Sequence, residues 1–120
     1  MDNVTLEELE QRWQNALSET EAAVIRHPCA YRQIRTLADH ILKRPLDISE
    51  YLPTTEKLTA LLRTMDPDLR GSIFAYFINR ISPSSIWHIQ WLRVECGDLL
   101  DHLNAFDDWR RGRQRLKRIK

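Results

Sequence analysis

Ile89-Gln90-Trp91-Leu92-Arg93-Val94-Glu95-Cys96-Gly97-Asp98-Leu99-Leu100-Asp101-His102-Leu103-Asn104-Ala105-Phe106 is the stretch that decides the fold class. Ile89, Leu92, Cys96, Leu99, Leu103 and Phe106 follow one another at spacings of three, four, three, four and three. That period lines one side of an α-helix and makes a seam able to dock on another helix. A strand would alternate at every second residue instead. Gly97 costs ~1 kcal/mol relative to Ala inside such a helix and permits a kink without demanding one.

Working towards the N-terminus, Ser82-Pro83 reads as a cap followed by a first-turn proline, opening this last long helix. Asp66-Pro67-Asp68 repeats the pattern and predicts a helix running to about Ile81 through Leu69, Ile73, Phe74, Phe77 and Ile78. That stretch is apolar nearly all round, as a central buried helix should be. Thr54 or Thr55 is the expected cap of a third helix bearing Leu58, Leu61, Leu62 and Met65, with residues 46–53 as a short connector. The second helix starts at Pro28, ends before Pro45, and turns Ala30, Ile34, Leu37 and Ile41 inward, with Ala38 and Leu42 beside them. Thr5-Leu6-Glu7-Glu8 is a capping box for the first helix, with Val4 and Leu9 placed as a hydrophobic staple. Leu6, Leu9, Trp13, Leu17 and Val24 form its apolar face, and Pro28 stops it. Towards the C-terminus, Asp107-Asp108 is a point at which a terminal helix carrying Trp109, Leu116 and Ile119 can restart.

The expectation is an all-α fold, a single compact bundle of five or six helices with short proline-marked connections. The five prolines each fall between periodic segments, and the three glycines are too few for a chain of tight strand turns. With 120 residues, 42% of them hydrophobic and 29% charged, the chain suits one globular core without metal or disulfide staples. Residues 1–108 are expected to form the bundle and 109–120 a basic C-terminal helix or tail.

Charge is unevenly spread. Residues 1–24 hold six acids against one base, and residues 109–120 hold seven bases and no acid. A net charge of +1 hides this asymmetry, which suggests a partner of opposite charge or a contact between the two ends. The C-terminal bases are Arg110, Arg111, Arg113, Arg115, Lys117, Arg118 and Lys120. Arginine binds phosphate bidentately and stacks on bases, and Trp109 beside them adds a stacking group. The same cations also favour a helix C-terminus or an acidic partner, including the chain's own first helix.

Trp87 and Trp91, four residues apart, share a helix face distinct from the heptad-like seam. They are either buried on a second side or presented to a partner, where tryptophan is an effective anchor. Cys29 and Cys96 match no zinc or redox spacing and read as two reduced, buried apolar side chains. Glu95, Asp98 and His102 share a face, but no second Glu-x-x-His motif accompanies them, and a solvated acidic face is the reading adopted, with no metal or other cofactor. The N-terminus has no basic, then apolar leader pattern, and no apolar run exceeds six residues. A cytoplasmic setting without membrane contact is expected.

Arg35 and His40, as Arg-x-x-x-x-His, resemble the short signature of HEPN ribonucleases, themselves small helical bundles. In that family the Arg and His act together on RNA, usually across a dimer. The resemblance covers those two residues, and Thr36 stands where the family usually has a more strongly polar group. No phosphate-binding glycine loop, G-x-S-x-G or H-E-x-x-H pattern occurs.

Taken together, these features point to a small non-enzymatic interaction protein: an adaptor, chaperone-like subunit or inhibitor of a larger assembly. It would bind through Trp87, Trp91 and Trp109 and the basic end. A nucleic-acid-binding protein using the arginine cluster on phosphates is the alternative, and self-association through the last helix's seam a third route.

Overall fold

A computed structural model describes residues 5–81 and 89–119, with side chains through Arg113. It is an all-α bundle of five helices, with no strand among the described residues. They are α1 (Leu6–Arg26), α2 (Pro28–Lys43), α3 (Ile48–Met65), α4 (Ile73–Ile78) and α5 (Ile89–Ile119). No helix among the described residues is long and apolar enough to cross a membrane.

The seam on α5 forms as its spacing predicts. Leu92, Cys96, Leu99, Leu103 and Phe106 are fully or almost fully buried, and α5 lies mainly along α2. There it meets Ile34, Ala38 and Ile41, all fully buried. α2 also packs on α3, and α3 on α4, so Leu58, Leu62, Phe74 and Phe77 close the core. The seam is therefore used within the chain and is not available for self-association.

Local capping explains most boundaries. Thr5 Oγ1 accepts from Glu8 N at 3.2 Å, opening α1. Pro28 occupies the first turn of α2, as expected. Arg93 Nη2 donates to Leu42 O at 3.0 Å, satisfying a carbonyl that the end of α2 leaves free.

Several boundaries differ from expectation. α3 starts at Ile48, because Asp47 Oδ1 accepts from Glu50 N at 3.0 Å and caps it. Pro53 therefore lies inside the helix and not in a connector. The carbonyl it leaves without a donor belongs to Ser49, which is exposed and can be hydrated, while Tyr51 and Thr55 bury the opposite side. Asp66-Pro67-Asp68 does not open a helix. Asp66 ends α3, and its carboxylate accepts from Arg70 N at 3.1 Å and from Ser72 Oγ at 2.5 Å. Leu69 turns the loop at φ 51°, in the left-handed region that disfavours a branched side chain. The true cap of α4 is Ser72, whose Oγ accepts from Ala75 N at 3.3 Å. Thr20 Oγ1 accepts from Ile73 N at 3.2 Å, and Thr59 Oγ1 donates to Ile81 O at 3.0 Å, pinning both ends of this segment. The helix is consequently six residues long, not the expected run from Asp66 to Ile81.

α5 continues through Asp107-Asp108 without a restart. Cys29 is exposed, contrary to the expectation of burial, while Cys96 is buried. The expected face of α1 is only half covered. Leu17 and Val24 are buried, but Leu6 is 84%, Leu9 50% and Trp13 38% exposed. The Ser82-Pro83 cap and Val4 of the staple lie outside the described residues.

Candidate functional site

One surface joins α1, α4, α5 and the residues just after α4. Tyr76 and Trp91 are exposed although large and apolar. Between them stands Arg80, its guanidinium carbon 4.9 Å from the Tyr76 ring centroid and 5.5 Å from that of Trp91. Arg80 Nη1 also donates to the Tyr76 hydroxyl. Its other terminal nitrogen donates to Glu95 Oε1 at 2.6 Å. Glu95 is fully buried, so the surface stack is anchored from below by a carboxylate on α5. Arg80 supplies one hydrogen bond to that carboxylate, and Glu95 Oε2 has no hydrogen-bond partner among the described residues.

The surface extends towards α1 through His102. The His102 ring lies 6.1 Å from Tyr76, 5.5 Å from Phe77 and 5.6 Å from Trp13. Trp13, Tyr76, His102 and Ser72 line a cavity of about 370 Å³ between α1 and α4. The ribbon Trp91–Arg80–Tyr76–His102–Trp13 then runs into the open stripe Leu9–Leu6.

Trp91 is thus presented on the surface, while Trp87 lies outside the described residues. Trp109 is half-buried against the core, and its Nε1 donates to Gln14 Oε1 at 3.0 Å. It ties α1 to α5. The basic end is also engaged where its side chains are described. Arg110 lies 3.6 Å from Asp107, Arg111 2.6 Å from Asp108, and Arg113 2.8 Å from Glu21 of α1. Arg113 also stacks on Trp109 at 4.7 Å. The Arg113–Glu21 pair joins the acidic first helix to the basic end, one of the routes the charge layout suggests. Arg115, Lys117 and Arg118 belong to α5, but their side chains, like Lys120, lie outside the described residues.

Arg35 and His40 are not brought together within the chain. Five residues on a helix place them about 140° apart. Arg35 lies 3.2 Å from Asp107 and donates to Tyr31 Oη at 3.1 Å and to Asn104 Oδ1 at 2.7 Å. Tyr31 in turn donates to Asp107 at 2.9 Å. Burial and that hydrogen bond push the Tyr31 phenol up to about 12. His40 lies instead on an exposed groove with Arg32 and Lys57. Of the acidic face on α5, Glu95 is committed to Arg80, Asp98 is exposed, and His102 is stacked among aromatic rings.

Tyr76, Arg80, Trp13 and His102 were not legible as one surface. The Tyr76–Arg80 spacing of four was a local signal for half of the stack, but Trp91 joins it only through the fold. Compared with known proteins, the chain matches no family model, no curated protein and no solved structure.

Proposed function

We propose that this chain is a small non-enzymatic interaction protein that acts as an adaptor-type subunit, gripping a protein partner through the Trp91–Arg80–Tyr76 end of the ribbon. The observation that carries the reading is the exposed Tyr76–Arg80–Trp91 stack anchored by buried Glu95. Tryptophan, tyrosine and arginine are the residue types most enriched where binding energy concentrates. A stack already fixed in the free protein loses little side-chain entropy on binding. The alternative is phosphate binding by the C-terminal arginines, of which Arg110, Arg111 and Arg113 face carboxylates of the chain itself.

The test is photo-cross-linking in the cells that make the protein, with a benzophenone side chain at position 76 or 91 of the full chain and at exposed Arg63 as control. The reading predicts a discrete protein adduct from 76 and 91 that is absent at 63. Trp91→Ala with the cross-linker at 76 should reduce it at least tenfold without changing the helical signal. No adduct, or the same adducts from all three positions, contradicts the reading. A nucleic-acid adduct lost on neutralising Arg110, Arg111 and Arg113 supports the alternative.

A further inference from the structure

The first turns of α1 stand clear of the bundle. Every residue from Thr5 to Trp13 is exposed, yet Leu6, Leu9 and Trp13 form a continuous apolar stripe at spacings of three and four. These turns extend a 21-residue helix anchored by Leu17 and Val24, and His102 partly covers Trp13, but Leu6 and Leu9 stay open to water. Something of matching shape should cover them. The rim of the stripe is acidic, with Glu7, Glu8 and Glu10 against the single base Arg12.

The direction of α1 decides what can match that rim. Trp13 meets His102, Gln14 meets Trp109, and Glu21 meets Arg113. Residue numbers rise together on both helices, so α1 and α5 run the same way where they touch. The acidic beginning of α1 therefore points away from the basic end of α5, which cannot fold back to it. The molecule carries opposite charges at opposite ends, each with apolar residues in its sequence: Leu6 and Leu9 at one, Leu116 and Ile119 at the other.

We infer that a second copy of this chain covers the stripe, the basic end of its α5 lying along the acidic first turns of α1. Antiparallel placement repeats the contact twice about a two-fold axis and closes the assembly as a dimer. The inference rests on the reading above, that the protein works by binding protein surfaces. It leaves the Tyr76–Trp91 end of the ribbon for a different partner.

Sedimentation equilibrium of the full chain tests this. The mass should rise from 14.3 kDa towards twice that value with concentration. The rise should weaken at about 1 M salt, where charges are screened within ~3 Å. Leu9→Glu should hold the chain at 14.3 kDa throughout, with the helical signal and melting that the parent shows at concentrations where it is itself monomeric, since Leu9 is half exposed in the single chain. A chain with Glu7→Lys and Glu10→Lys, and another with Arg115→Glu and Arg118→Glu, should each associate at least tenfold more weakly alone. Mixed in equal amounts they should dimerise as the parent does, because both contacts are then complementary. A parent that stays at 14.3 kDa overturns the inference. So does association that survives Leu9→Glu, that is lost with Leu9→Glu but indifferent to the α5 changes, or that mixing fails to restore. A monomeric parent that still gives the cross-link at 76 and 91 removes the dimer and keeps the proposed function. A dimer without that cross-link does the reverse.

Discussion

Cys29 and Cys96 show how little a residue type says about its setting. One is exposed at the start of α2, and the other is fully buried in the α5 seam beside Glu95. Burial first, and the Glu95 charge second, push the Cys96 thiol up to about 12. One thiol per chain should therefore react with a disulfide reagent in the native protein and two in denaturant, read by absorbance. Two fast-reacting thiols under native conditions would mean that the seam opens. Tyr31 gives a prediction in pH. Its phenol ordinarily titrates near 10.0 and is held up at about 12 by burial and by its hydrogen bond to Asp107. As pH rises past 10.0 the unfolded chain releases this proton while the folded chain keeps it, so stability falls between 10.0 and about 12. Cys96 adds to the fall from 9.0 upward. Thermal melts across this range should show the decline, shallower in Tyr31→Phe.

At the scale of elements, legibility followed burial. α2, and α5 from Leu92 to Phe106, are covered along one face, so their hydrophobic period reported the packing directly. α3 was misplaced because Pro53 reads as a stop, while the Asp47–Glu50 cap and the burial of Tyr51 outweigh the lost hydrogen bond. α4 was overextended because an Asp-Pro-Asp run caps the end of one helix as readily as the start of another. Which role Asp66 takes depends on its bond to Ser72 and on Thr20 holding Ile73 from a distant helix. The exposed stack was hidden for the same reason: Glu95 reads as a solvated acid until the fold buries it under Arg80. The glycines of α5 yield a prediction at this scale. A Cβ at Gly97 would meet Leu42 Cδ2 at 3.7 Å, an ordinary contact, and one at Gly112 meets nothing within 4 Å. Gly97→Ala and Gly112→Ala should each raise unfolding stability by up to about 1 kcal/mol. Denaturant titration checks this, and a loss at position 97 would show tighter packing of α2 on α5.

At the scale of the molecule, one core is built from α2, α3, α4 and α5, and α1 is only half committed to it. Opposite charges at the two ends and an uncovered apolar stripe are properties that no single helix displays. The first follows from α1 and α5 meeting in the same direction, and the second from Leu6 and Leu9 lying before the part of α1 that packs on the core. The central claim is that the beginning of α1 is a binding surface and not a fraying end. Amide hydrogen exchange of the full chain, followed residue by residue over Leu9–Trp13 at low and high protein concentration, tests it most directly. Protection that increases with concentration and disappears in Leu9→Glu is the predicted result. Exchange that stays fast and independent of concentration, with the α5 seam fully protected, would contradict it.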